Sequence, residues 1–121
     1  MYEFAYNYEF AYNEVIEESH QTMRAREGEA MDRVIAMLRA AQEKGPQSRE
    51  RVDALYYLRR LWMIFMTDLK DPNNELPDQL RAGIISIGIW MNKEIDRVLG
   101  GQTNDLTPMI EINQLIRDGL K

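Results

Sequence analysis

SRERVDALYYLRRLWMIFMTDL, residues Ser48–Leu69, is the stretch that decides the fold. It is long and strongly apolar, with Gly45-Pro46 before it and Asp71-Pro72 after it. At about 100° per residue, Leu55, Leu58, Leu61, Trp62, Phe65, Met66 and Leu69 fall on one broad arc. That arc is too wide for a helix resting on a surface, so the segment reads as the central helix of a small bundle. Ser48 is a good N-cap, and Glu50 sits in the first turn, where a carboxylate is favoured. The helix is expected to end near Lys70. Tyr57 and Ile64 lie off the apolar arc, among Glu50, Asp53, Arg60, Thr67 and Asp68. Their spacing of seven puts them on one line of the helix, as residues of an interface would be.

Three further segments carry the same period. Upstream, Ala30, Met31, Val34, Ile35, Leu38 and Ala41 form a stripe, predicting a helix over about Thr22–Glu43 with Ser19 or Thr22 as its cap. Arg24–Glu29 is nearly all polar, and Gly28 weakens the helix there. Lys44-Gly45-Pro46 is a stop signal: a cation, then Gly, then Pro. Downstream, DPNNEL (Asp71–Leu76) reads as a turn, and Pro77 is a natural first-turn proline for a third helix. Its main stripe is Leu80, Ile84, Ile87, Met91, Ile95 and Val98. Ile85 and Ile89 make a second stripe, and Trp90 lies on the other flank. Such a helix is either covered on both faces or binds a partner. Gly83 and Gly88 would let another helix approach closely. After Gly100-Gly101, Thr107-Pro108 opens a fourth, shorter helix, with Thr107 as cap and Met109, Ile112, Leu115, Ile116 and Leu120 as its stripe.

The expected fold is therefore all-α, a small helical bundle of three long helices plus a shorter C-terminal one, with no sheet. Residues 1–18 form an extended or disordered arm, and residues 19–121 a single helical domain. The arm is unusual: YEFAYN at Tyr2–Asn7 repeats unchanged at Tyr8–Asn13, and it carries six of the chain's eleven aromatic residues. Two copies of a six-residue unit fit no solenoid. At a period of two, Tyr2, Phe4 and Tyr6 share a face.

Composition narrows the chemistry. The 121 residues suit one domain. There is no cysteine, so disulfides and thiolate metal sites are excluded. The N-terminus is acidic and aromatic, unlike a secretion signal. The longest apolar run, Ala82–Met91, is too short to span a bilayer. These features predict a soluble, cytoplasmic chain. The net charge of −5 comes from the first twenty residues, which hold five Glu and no Lys or Arg. The body is neutral, which argues against direct nucleic-acid binding. Arg49, Arg51, Arg59 and Arg60 are a local basic cluster, expected to pair with nearby acids on helix surfaces. His20 is the only histidine and reads as a surface residue. Glu17-Glu18 read as part of a solvated charge run. No nucleotide-binding or nucleophile-elbow motif occurs, so the chain is read as non-enzymatic, with no cofactor and no metal.

The residues also resemble a known family. KGPQSRERVDALYYLRRLWMIFMTDL (Lys44–Leu69), LPDQLRAGIISIGIWMNKEID (Leu76–Asp96) and MIEINQLIRDGLK (Met109–Lys121) look like the flagellar biosynthesis regulator FlaF of alphaproteobacteria. The likeness runs from about Tyr8 to Lys121. Its most specific pieces are Gly45–Ser48, Arg59–Trp62, Ile85–Trp90 and Ile116–Leu120. The doubled YEFAYN departs from the family pattern, which begins with one copy. The resemblance implies a cytosolic helper of flagellum assembly that promotes flagellin production and export, opposite the negative regulator FlbT. It implies flagellin as the direct partner and FlbT as a functional one. The mechanism it favours is a secretion chaperone covering an amphipathic flagellin helix; the alternative is post-transcriptional regulation of flagellin mRNA with or against FlbT. Tyr57, Ile64, Ile85, Ile89 and Trp90, apolar but off the core stripes, are the candidate partner-binding residues.

Overall fold

The computed structural model describes residues 13–119, with side chains placed from Glu27 onward. The first repeat and most of the second lie outside the described residues, as do Leu120 and the side chains of Glu17, Glu18 and His20. Four helices follow in order: α1 (Asn13–Lys44), α2 (Arg49–Lys70), α3 (Asp78–Leu99) and α4 (Thr107–Gly119). Among the described residues there is no strand.

The largest difference from the sequence reading is the start of α1, at Asn13 rather than Thr22. Neither Ser19 nor Thr22 caps it, since both lie inside the helix. The reason is local. No Gly or Pro interrupts the chain between Asn13 and Gly28, and Glu, Gln, Met, Ala and Arg dominate, all strong helix formers. Glu14, Glu17 and Glu18 fall in the first turns, where negative charge is favoured. An apolar stripe marks what a helix buries, not how far it runs.

The other boundaries follow their punctuation. Gly45 adopts φ +96°, and its N–H donates to Ala41 O at 3.0 Å, closing α1 with a left-handed residue that a side chain would strain. Ser48 then opens α2: its Oγ accepts from Arg51 N at 3.2 Å and donates to Gly45 O at 2.8 Å. One turn thus satisfies the end of one helix and the start of the next.

The start of α4 is a correction. Thr107 is not its cap but lies within the helix. Asp105 Oδ1 accepts from Thr107 N at 3.0 Å. Gln42 of α1 accepts from Leu106 N through Oε1 at 2.7 Å and donates through Nε2 to Thr107 Oγ1 at 2.8 Å. A side chain sixty-odd residues away thus satisfies a donor of the helix end. Leu106, in a loop whose neighbours are polar, is fully buried.

The core is built on α2. Leu55, Leu58, Leu61, Trp62, Phe65, Met66 and Leu69 are all buried, as are Met31, Val34, Ile35, Leu38 and Ala41 of α1. The C-terminal half of the α3 stripe joins them through Met91, Ile95 and Val98, and α4 contributes Met109 and Ile110. At the centre Trp62 has no exposed surface. Its Nε1 donates to Asn113 Oδ1 at 2.9 Å, and its ring meets Phe65 edge-on with centroids 5.5 Å apart. Asn113, also fully buried, donates through Nδ2 to Met109 O at 2.6 Å. The one polar side chain at the centre therefore has both ends of its amide engaged.

Two polar residues expected on the surface are inside. Arg51 is buried and has carbonyl rather than acid partners: Nη1 donates to Asn104 O and Nη2 to Thr103 O, each at 3.4 Å, and Nη2 also to Asn104 Oδ1 at 3.3 Å. It straps the α3–α4 loop to the first turn of α2. Asp68 is buried too, and its backbone O accepts from Asp71 N at 3.2 Å and Asn74 Nδ2 at 3.0 Å as the chain turns toward α3. The rest of the basic cluster stays outside. Arg59 pairs with Asp96 of α3, Arg49 approaches Asp53 at 3.9 Å, and Arg60 is exposed.

The two glycines of α3 differ. A Cβ on Gly88 would lie 2.3 Å from Met66 Sδ and 3.1 Å from its Cγ, so Gly88 is where α3 presses on α2. A Cβ on Gly83 would meet nothing within 4 Å, so no helix approaches there. Gly88→Val is expected to lower stability by about 1–3 kcal/mol, because overpacking forces Met66 out of its place. A chemical denaturation midpoint equal to wild type would show that Met66 moves aside freely.

Candidate functional site

The helices pair unequally. α1 packs against both α2 and α4, and α2 packs against α3, but no comparable packing joins α3 to α4. The apolar stripes of α3 and α4 are longer than their contacts with the rest of the bundle. What remains is an open groove of about 940 Å³ at one end of the molecule. Leu76, Pro77, Leu80, Gly83, Ile84 and Ile87 form one wall, and Leu115, Ile116 and Gly119 the other. Gln79 is the one polar side chain lining it. A recess of about 100 Å³ continues inward past Leu76, Ile84 and Ile116 to Glu27, Phe65 and Leu69.

The rims are exposed although the sequence puts both in core stripes: Leu80 is 50% and Leu115 66% accessible. Both are corrections with one cause. A stripe is buried only where another helix lies over it, and α3 and α4 rest on different helices. The walls of the groove itself are apolar apart from the Gln79 amide. What they offer is apolar surface to be covered.

Beyond the buried Met109 and Ile110, an ion pair ties the end of α4 to α1. Arg117 grips Asp32 with two bonds, Nε to Oδ1 at 2.7 Å and Nη2 to Oδ2 at 3.2 Å. Its guanidinium also lies against Gly28: a Cβ there would be 3.0 Å from Cζ. The glycine that weakens α1 in the sequence is the position over which this arginine passes. The hydrogen bond from Arg117 is the main cause holding the Asp32 carboxyl below its usual 3.8. Asp105 is held low as well, first by the hydrogen bond with the Thr107 side chain and then by the Thr107 N–H. Both carboxylates bind protons less readily folded than unfolded. Their contribution is therefore present above the unfolded pKa and lost as pH falls through the lowered folded values. The thermal midpoint is expected to change little on this account down to about pH 4 and to drop below it. Asp32→Asn should lower the midpoint at neutral pH and reduce the acid drop; an unchanged pH profile would show that the pair contributes nothing.

The five residues singled out from the sequence do not gather at the groove or on any single face. Tyr57 is half-buried against the core, on the α1 side of α2, with Arg33 of α1 over its ring at 5.7 Å. Ile64, seven residues on and partly exposed, shares that flank. Ile89 is 48% accessible. It lies seven residues before Asp96, on the α3 flank tied to Arg59 of α2, and Ile85 is one turn away. The exposed ridge of Tyr56, Arg60 and Thr67 on α2 separates these two pairs. Trp90, 37% accessible, is on the opposite flank of α3, in line with Gly83. Val52 and Met63, both exposed, extend the Ile85–Ile89 patch on the α2 side. The groove residues were missed because their periodicity is that of core. The signal available was Gly83 within an apolar stripe, a gap with no covering helix.

Among the described residues, no helix is long and apolar enough to cross a membrane. No curated protein and no solved structure matches the chain. The family of the flagellar protein FlaF does match, over residues 8–120. That span takes in the whole helical bundle and one copy of the doubled motif, and leaves the first copy outside. The chain belongs to the FlaF family of flagellar proteins.

Proposed function

We propose that this protein is a flagellin-binding chaperone that promotes flagellin production and export by covering an apolar helix of unexported flagellin in the α3–α4 groove. The observation that carries this reading is the groove itself: about 940 Å³, walled by Leu, Ile and Pro with one amide, in a member of a flagellar family. Amphipathic helices are recognised by laying their apolar face in such a channel, with anchors at i, i+3/4 and i+7. The α3 wall from Pro77 to Ile87 spans ten residues, about 15 Å or nearly three turns, which matches that anchor spacing. A chaperone of this kind needs no reaction centre, and it acts in the cytoplasm, before export.

The test is capture. The tagged chain, expressed in a flagellated host, is expected to bring down flagellin, and the purified pair should re-form with both components alone. If FlbT or flagellin mRNA comes down in place of flagellin, the chaperone reading falls and regulation of flagellin synthesis replaces it.

A further inference from the structure

The groove lies at the end of the bundle where α1 projects, and this chain carries ahead of α1 a segment suited to fill it. α4 runs antiparallel to α1, with Gln42 beside Thr107 and Asp32 beside Arg117, and its last turn reaches Gly28. Glu27 borders the recess that continues the groove. From there α1 runs on to Asn13, fourteen residues or about 21 Å beyond the groove's inner end.

The twelve residues before Asn13 are MYEFAYNYEFAY. Because the repeated unit has six residues, an even number, the second copy keeps the phase of the first. Tyr2, Phe4, Tyr6, Tyr8, Phe10 and Tyr12 thus all share one side of an extended chain, with Glu3 and Glu9 on the other. At a helical period the same six would point in all directions. We infer that this aromatic segment is an intramolecular occupant of the α3–α4 groove, lying extended along the wall from Pro77 to Ile87.

The lengths decide which copy does what. Extended chain covers about 3.4 Å per residue, so twelve residues reach about 40 Å. Returning along the overhang takes about 21 Å and leaves about 19 Å, enough for the groove wall of about 15 Å. With a single copy, six residues would precede Asn13 and reach about 20 Å, no more than the overhang, so none would be left to lie along the groove. The first copy, Tyr2–Asn7, outside the span the family matches, is what makes docking possible. The Val52–Met63–Ile89 patch is a poorer fit, since it lies farther along α3 and on its other flank. A tethered occupant competes at an effective concentration in the millimolar range for short linkers. If the groove is also the flagellin site, as proposed above, the arm sets a threshold that a partner helix must exceed.

The chain has no cysteine, so Ala5→Cys gives a single attachment point for a spin label in the full-length protein. With the arm docked, the methyl signals of Leu80, Ile84, Ile87 and Leu115 should lose most of their intensity, while those of Val52, Val98 and Leu106, at the far end of the bundle, stay sharp. Gly83→Phe, which fills the groove, should restore the lost signals. Undiminished groove signals, or the strongest loss at Val52 and Met63 with the groove signals kept, would overturn the inference. So would loss that passes to an unlabelled copy mixed in, since the arm would then serve a second molecule. Groove signals that broaden in a chain unable to capture flagellin would keep this inference and sink the chaperone reading alone.

Discussion

Trp62→Ala is expected to lower the unfolding free energy by about 3–5 kcal/mol, the range for truncating a fully buried large aromatic. That is about a fifth or more of the roughly 5–15 kcal/mol that holds a domain of this kind together. Trp62 has no exposed surface and ties two helices together: its ring packs on Phe65 one turn on in α2, and its N–H reaches Asn113 of α4. The hydrogen bond makes the loss more than a cavity. Removing the indole leaves Asn113 Oδ1 buried without its donor, at about 1–3 kcal/mol. Trp62→Phe separates the two effects by keeping most of the apolar volume and removing only the N–H. The pair Trp62→Phe and Asn113→Leu should be non-additive, the double variant losing less than the sum of the singles. Urea denaturation followed by circular dichroism reads all four proteins. A wild-type midpoint for Trp62→Ala would show that the centre of the bundle is not where the structure puts it.

Gly83→Phe is expected to weaken flagellin capture by about thirty-fold or more, the loss of roughly 2 kcal/mol or more that follows when a central anchor is excluded. Stability should not suffer. A side chain at Gly83 meets nothing within 4 Å, and replacing a mid-helix glycine gains several tenths of a kcal/mol in helix propensity. The ring would stand in the groove between the Leu80–Ile84 wall and Leu115. The comparison variant is Ile89→Asp, on the other exposed flank of α3. Ile89 is half exposed, so the charge should shift stability by no more than about 0.5 kcal/mol. If the groove is the site, Ile89→Asp captures flagellin as wild type does. The opposite pattern, capture kept by Gly83→Phe and lost by Ile89→Asp, would move the site to the Ile85–Ile89 face. Both proteins should melt within about 2 °C of wild type, so a loss of capture can be read as a loss of contact.

Much of this architecture is written locally. Ser48, Gly45-Pro46, Asp71-Pro72 and Gly100-Gly101 punctuate four helices, and a period of 3.6 residues picks out the side chains of α1 and α2 that are buried. These features depend on each helix alone: on caps, on backbone conformation and on which residues share a face. Even the family likeness runs through such local pieces, Gly45–Ser48 and Arg59–Trp62 among them. The start of α1 escaped this reading because polar helix formers extend a helix without leaving a stripe.

What the sequence by itself determined is therefore the four-helix, all-α plan and the core faces of its first two helices. Tertiary structure alone decided which helix covers which stripe. Leu80 and Leu115 have core periodicity and lie at the rim of an open groove, because α3 leans on α2 and α4 on α1. Asn113 and Arg51 are polar and buried, because their partners, Trp62 and the carbonyls of Thr103 and Asn104, come from far along the chain. Gly83 and Gly88 are alike in sequence, yet one faces empty space and the other Met66. A helical period fixes a direction around one axis. Whether anything stands in that direction is set by how the helices pack.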